Sequence, residues 1–229
     1  GLNLTFETLE GIAKHETEYD LSEVAGISKE TGASVEAQIA NIADELAYNA
    51  HDLDDGLQAG LITPEQLNEL EIWHIITDRI QWQGTQLDEI TRHHIIRELV
   101  GLQVDDVLTE TMKNIQKLDP QSPLDIQNHS QPIVAHSAEQ QKQNRHLKDF
   151  LYLNMYCHFR IIRMQTRAEH FVDELFSSYL KEPRQLPNNY RAKLEKEPKH
   201  RVIADYIASL TDRSVLREYS TFFDPITRP

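Results

Sequence analysis

Apolar residues recur along this chain at spacings of three and four and do not alternate, which indicates helices throughout and no strand. The clearest helix is predicted over residues 34–57, and a shorter one over residues 5–15. The apolar residues of the longer segment fall on one face of a 3.6-residue repeat, and we expect this face to be buried. They are Ile39, Ile42, Ala43, Leu46, Ala50 and Leu53.

A helix start is predicted at Thr63. Its hydroxyl can cap the helix, Pro64 suits the first turn, and Gln66 completes a capping box. We expect this helix to continue to about Gly84 and a further helix to begin near Leu87.

The second half of the chain opens with a stretch of proline and polar residues at 119–137, which predicts a long loop. Loops of that length are uncommon and often functional. The longest helix is predicted over residues 138–181, followed by short helices around Tyr190 and over residues 201–219. We therefore predict an all-α fold arranged as a single domain over residues 1–229.

Charge and cysteine content narrow the classes of function. The formal net charge is −14, which disfavours a general nucleic-acid binder but allows a small anion to be held by a local basic cluster. With Cys157 as its single cysteine the chain forms no internal disulfide, and a cytoplasmic location fits. No apolar run approaches the ~20 residues of a membrane span. The chain begins at Gly1 without a methionine, so we expect it to be a piece of a longer polypeptide.

The first candidate surface lies on the helix predicted over residues 34–57. At about 100° per residue, Asp44, Tyr48, Asp52 and neighbouring polar residues share the side opposite the apolar stripe. Carboxylate, phenol and imidazole groups on one face can bind a divalent metal and a sugar-phosphate ligand. Periodicity alone favours the alternative interpretation, a solvated polar face of an amphipathic helix.

The second candidate surface lies on the longest predicted helix. Lys148, Tyr152, Tyr156 and Arg163 recur at intervals of four, four and seven and so form one stripe of substrate-binding candidates. Residues 142–167 contain six basic side chains and one acid, a local charge of +5 in an acidic chain. Arginine and lysine donate charge-assisted hydrogen bonds to phosphate, and tyrosine can bond it or stack on a base. The alternative is a helix whose charges pair with acidic neighbours.

Five segments in order along the chain carry a family resemblance: residues 2–11, 36–56, 97–102, 147–156 and 205–213. Together they resemble the bacterial dGTPase-like proteins, which are HD-type deoxynucleoside triphosphate triphosphohydrolases. The second segment is similar to the last metal-binding helix of that family. The resemblance implies an HD-domain-like helical fold.

The resemblance also implies roles for individual residues. Asp44 corresponds to the final aspartate of the family's metal site. Tyr48 and Asp52 match positions that contact the deoxyribose and phosphates of the substrate. Tyr156 matches a tyrosine that packs against the sugar and helps to reject a 2′-hydroxyl, and Lys148 lies where the family places a basic residue facing phosphate or sugar.

The implied reaction is hydrolysis of a deoxynucleoside triphosphate, dGTP or another dNTP, to deoxynucleoside and tripolyphosphate with a divalent metal, Mg²⁺ or Mn²⁺, in a homo-oligomer. The family's first metal-binding histidine and its His-Asp pair are absent. The one histidine followed by aspartate is His51, within the last metal-binding helix. We therefore expect an upstream HD half on the same polypeptide, no catalytic residue within this chain, and no activity from this chain alone.

Two alternatives stay open. The chain could be a non-catalytic helical module, regulatory or oligomer-forming, derived from the enzyme, and upstream histidines would distinguish that case. It could instead belong to an enzyme for another nucleotide, which the identity of the products would reveal. The sequence leaves the base preference, the physiological metal, any allosteric nucleotide and the oligomer number open.

Overall fold

The computed structural model describes residues 2–15, 31–84 and 86–225. All regular elements within these residues are helical, which confirms the all-α prediction. The α-helices are α1 (Phe6–Ala13), α2 (Val35–Gln58), α3 (Pro64–Leu67), α4 (Glu71–Arg79), α5 (Glu89–Leu118), α6 (Pro123–Gln127), α7 (Ala138–Leu151), α8 (Phe159–Lys181), α9 (Asn188–Arg191), α10 (Lys199–Ala208) and α11 (Asp212–Phe223). A π-helix covers Tyr152–Tyr156, and 3₁₀ turns cover Pro183–Gln185 and Ala192–Glu195.

Side-chain caps fix where the long helices begin. Thr5, Ser34, Asp88 and Ser137 each accept a hydrogen bond from the backbone N–H three residues later, at the starts of α1, α2, α5 and α7. Such caps satisfy an N–H that has no partner within the helix. The predicted starts of these four helices are confirmed to within two residues.

The continuous helix predicted over residues 138–181 is wrong. Helix α7 ends at Leu151, the π-helix Tyr152–Tyr156 follows, and α8 begins only at Phe159. The interruption is local: His158 has an extended backbone, and its Nδ1 accepts a hydrogen bond from the N–H of Arg160 as the cap of α8. The apolar and polar periodicity on either side of this break carries no sign of it.

Two other predicted helices are divided in the same way. Leu70 has an extended backbone and is buried, so the segment from Thr63 splits into α3 and α4, although the capping box at Thr63 is confirmed. Thr211 is also extended and caps α11, which separates α10 from α11 within the predicted helix over 201–219. The predicted loop over 119–137 connects α5 to α7 as expected but contains the five-residue helix α6.

Contacts between Cα atoms group the chain into two compact units, Gly1–Tyr156 and Cys157–Pro229. The single domain expected over residues 1–229 stays a prediction, since two compact units can belong to one domain. No helix in the described ranges is both long and apolar enough to cross a membrane.

In the first unit, α2 packs against α1, α5 and α7, and α4 packs against α5 and α7. Its core joins Leu53 of α2, Trp73 of α4, Leu99 of α5 and Phe150 of α7, all of them buried. Burying each such side chain stabilises the fold by about 1.5–3 kcal/mol. This packing fixes α2 and α7 side by side. The first candidate surface lies on α2, and the residues of the second other than Arg163 lie on α7 or on the π-helix that follows.

In the second unit, α8 packs against α10 and α11 around the buried side chains of Leu175, Tyr179 and Ile203. The hydroxyls of Tyr179 and Tyr206 both donate hydrogen bonds to Glu218 Oε1. Burial raises the pKa of Tyr179 far above its ordinary value, and the hydrogen bond to Glu218 raises it further by a smaller amount. This shared carboxylate satisfies two hydroxyls in an apolar core and so has a structural role.

Candidate functional site

A cavity of about 1200 Å³ opens in the first unit between α2, α7 with its π-helix, and the connection between α5 and α7. Six of the seven site residues predicted from the sequence line it. They are Asp44, Tyr48, Asp52, Lys148, Tyr152 and Tyr156. Residues far apart in sequence are therefore gathered around one open cleft, which is large enough to admit a nucleotide-sized ligand.

Arg163 is the seventh predicted residue and belongs to the second unit. It lies on α8, where its guanidinium carbon is 5.3 Å from the centroid of the Phe159 ring. Because the π-helix and the break at His158 interrupt the predicted helix, the stripe from Lys148 to Arg163 is not a continuous helical face. Arg163 as a substrate-binding residue stays a prediction.

Helix α2 presents Asp44, Tyr48 and Asp52 at four-residue intervals, on the cavity side. The opposite stripe is partly as predicted: Leu46, Ala50 and Leu53 are buried. Ile39 is 50% exposed, so its predicted burial is wrong. Ala43 of the same stripe is also exposed, whereas Ala37, near the start of the helix, is buried.

The π-helix Tyr152–Tyr156 carries two of the three tyrosines that line the cavity. The hydroxyl of Tyr156 donates a hydrogen bond to Asp52 Oδ2 at 2.7 Å, across a sequence separation of 104 residues. Tyr156 is nevertheless 45% exposed, so much of its ring faces the cavity and solvent. π-helical turns of this kind occur frequently at functional sites.

Asp44 lies next to two polar side chains that the sequence analysis did not select. Its Oδ2 is 3.8 Å from Nε2 of His15, and Nδ1 of His15 is 2.5 Å from Oδ1 of Asn41. Asn41 precedes Asp44 by one turn of α2 and shares its face, so helical periodicity had the information to find it. His15 comes from the end of the α1 segment, and no pattern in the sequence connects it to Asp44.

The described residues do not make a metal site by themselves. No group of three or more His, Cys, Asp or Glu side chains in residues 2–15, 31–84 and 86–225 could hold a metal ion. Asp44 offers a carboxylate of the type that hard divalent cations prefer. A metal at Asp44 would therefore need ligands other than those of the described chain.

Cationic and anionic side chains lie close together on the cavity wall. Nζ of Lys148, on α7, lies 2.7 Å from Oε1 of Glu45 on α2, and Arg145 lines the wall one turn before Lys148. Lys14 is buried and has a structural role, because its ammonium donates to Glu10, to the hydroxyl of Thr31 and to a backbone carbonyl. Glu45 was not among the predicted site residues.

A second cavity of about 980 Å³ adjoins the first and shares Glu45, Arg145 and Lys148 with it. Its wall includes His136, whose Nδ1 is 3.0 Å from Oδ2 of Asp106. Burial raises the pKa of Asp106, but hydrogen bonds from Ser137 and His136 outweigh burial and hold that pKa below its ordinary value. The connection over residues 119–137 thus lines both cavities.

Comparison with known proteins shows which family the chain is similar to in sequence. A family profile described as a phosphohydrolase-associated domain matches residues 134–221. A deoxyguanosinetriphosphate triphosphohydrolase-like protein of Geobacter sulfurreducens is 40% identical over 231 residues, which cover 100% of this chain and 60% of that protein. The chain belongs to the deoxyguanosinetriphosphate triphosphohydrolase-like family. The resemblance drawn from the five sequence segments is confirmed.

Other members of the family match equally broadly. Proteins of the same name from Bordetella pertussis and a Caulobacter species are 38% and 36% identical, over 98% and 97% of this chain. The chain spans about 60% of the length of these curated relatives. Family membership therefore rests on the whole chain, whereas the activity of the whole protein is a matter for a proposal.

Proposed function

We propose that this chain forms the substrate-facing part of a metal-dependent hydrolase that converts a deoxynucleoside triphosphate to deoxynucleoside and tripolyphosphate. The observation that carries the proposal is the cavity, in which six residues chosen from the sequence face one space. The name of the relatives, deoxyguanosinetriphosphate triphosphohydrolase-like, agrees with this chemistry. The preferred base is left open.

Asp44 is proposed as one ligand of a divalent metal, Mg²⁺ or Mn²⁺. The other ligands, a histidine and a His-Asp pair, would come from an HD segment of the same polypeptide outside this chain. When bound, such a metal polarises a phosphoryl group and lowers the pKa of a bound water. This chain alone is then expected to be inactive, because one carboxylate does not hold the metal.

The basic residues of the cavity would act on the phosphates. Lys148 and Arg145 lie one turn apart on α7 and line the same wall, where charge-assisted hydrogen bonds can bind phosphate oxygens. Donors fixed in place before the reaction stabilise negative charge that develops on a leaving group. We assign these two residues to the tripolyphosphate portion of the substrate.

The tyrosines would act on the sugar. The bond from Tyr156 to Asp52 holds the phenol ring at the cavity wall while leaving part of the ring open. A ring fixed in this way can pack against deoxyribose and exclude a 2′-hydroxyl by its bulk. Tyr48 and Tyr152, both more than half exposed, are proposed as further substrate contacts.

The proposal is tested by chromatographic product analysis on the complete polypeptide that carries this chain, with each dNTP and Mg²⁺ or Mn²⁺. Deoxynucleoside should appear with the wild-type protein and be lost in Asp44→Ala, whose fold is checked by circular dichroism. Because the Asp44 side chain is at the surface of the cavity and not in the core, the variant should stay folded. Full activity of Asp44→Ala would contradict the assignment.

A second candidate function is a non-catalytic helical module, regulatory or oligomer-forming, descended from the enzyme. It is compatible with one observation, that the chain spans about 60% of the length of its relatives, so the metal ligands that would separate the two functions would lie outside this chain. A folded complete polypeptide with no histidine and His-Asp pair, and no turnover of any dNTP, would establish it. A homo-oligomeric state and a cytoplasmic location stay predictions under either function.

A further inference from the structure

One ion pair stands where the proposed function needs a phosphate-binding lysine. Nζ of Lys148 is 2.7 Å from Oε1 of Glu45, and their side chains are 20% and 39% exposed. Both residues line the first cavity and the second. The pair is therefore part of the wall between two open spaces, where an anion can reach it.

The carboxylate of Glu45 repels a phosphate that approaches Lys148. A phosphate oxygen bound to Nζ at ~2.8 Å would lie no more than about 5.5 Å from Oε1 of Glu45, given the 2.7 Å already between Nζ and Oε1. Coulomb energy falls with the inverse of distance, so the repulsion from Glu45 would cancel at least about half of the attraction to Lys148. An ionised Glu45 therefore weakens the hold of Lys148 on phosphate.

We propose that Glu45 is a specificity-determining residue whose carboxylate competes with phosphate for Lys148. Entry of a phosphate-bearing ligand then exchanges one anion for another at the lysine. A single small anion gains little from that exchange, whereas a polyphosphate also brings oxygens to Arg145 on the same wall. The inference rests on the proposed function in that it takes Lys148 to be the phosphate-binding lysine.

A substitution at Glu45 can remove its negative charge while keeping its contact with Lys148. Glu45→Gln keeps the shape of the side chain and an oxygen that can accept from Nζ, but removes the negative charge. A matched control is Glu110→Gln, which makes the same change of net charge on α5. Glu110 pairs with Lys113 at 2.9 Å and lines neither cavity.

The test is isothermal titration calorimetry of the 229-residue chain with inorganic tripolyphosphate, without metal and at low ionic strength. Glu45→Gln should lower the Kd by about three- to tenfold, and added salt should shrink that gain. Glu110→Gln should leave the Kd within error of wild type. Lys148→Met should raise the Kd, which shows that the ligand is bound at this lysine.

Two other outcomes would contradict the proposal, and they differ in whether the phosphate role of Lys148 survives. If Lys148→Met weakens binding but Glu45→Gln leaves it unchanged or weaker, Glu45 positions the lysine, and the competition is overturned while the phosphate role of Lys148 stands. If tripolyphosphate does not bind, or binds Lys148→Met as tightly as wild type, the assignment of Lys148 is overturned together with the competition. Thermal melts of each variant verify that it is folded.

Discussion

The hydrogen bond between Tyr156 and Asp52 can be tested by measuring the coupling free energy between the two side chains. Tyr156→Phe removes the hydroxyl that donates to Asp52 at 2.7 Å and keeps the ring. Hydrogen bonds to charged groups contribute about 1.5–3 kcal/mol, but solvent competes here because Tyr156 is 45% exposed. We therefore expect a coupling free energy of about 1 kcal/mol between the hydroxyl and the carboxylate.

A double-mutant cycle measures that coupling. Free energies of unfolding in urea are determined for wild type, Tyr156→Phe, Asp52→Ala and the double variant, so that effects outside the pair cancel. The control cycle uses Tyr152→Phe, since Tyr152 lies on the same π-helix and its hydroxyl makes no hydrogen bond within the described residues. Coupling below about 0.3 kcal/mol in the Tyr156 cycle, or equal coupling in both, would refute the contact.

Three further predictions concern stability. Leu99 is 0% exposed, so Leu99→Ala should reduce the free energy of unfolding in urea by about 2–5 kcal/mol; a loss under 1 kcal/mol would show that the core is not packed as described. Because the pKa of Asp106 is lowered in the folded state, this carboxylate contributes stability above the ordinary carboxyl pKa of about 4, and that stability is lost as pH falls through the folded-state pKa. Asp106→Asn should make the free energy of unfolding less dependent on pH in acid, and an unchanged pH profile would contradict this. Because the pKa of Tyr179 is raised in the folded state, this group contributes stability that is fully present below about pH 10 and is lost at higher pH, where the unfolded tyrosine ionises first. Tyr179→Phe should make the free energy of unfolding fall less steeply at alkaline pH, and an equally steep fall would count against this.

Local signals in the sequence were enough to predict where most helices begin. Thr5, Ser34 and Ser137 have side chains that cap the N–H groups just after them, so the information lies within four residues. The interruptions at Leu70 and His158 were not predictable in this way. Leu70 is extended and buried in the core, and apolar spacing of three and four continues through it.

The candidate site, too, could be predicted from the sequence only in part. Helical periodicity placed Asp44, Tyr48 and Asp52 on one face of α2, which the structure shows facing the cavity. Periodicity carries no information about which side chain of another helix lies opposite, so the pair of Glu45 with Lys148 was missed.

The central claim is that the bond between sugar and α-phosphate is cleaved and the three phosphates leave as one chain. Phosphorus NMR of the products formed by the complete polypeptide from dGTP and the other dNTPs, with Mg²⁺ or Mn²⁺, tests this most directly. The account predicts the signals of intact tripolyphosphate, present at the first time point and absent with Asp44→Ala. Orthophosphate or pyrophosphate as the first product, with a nucleotide as the other, would contradict it.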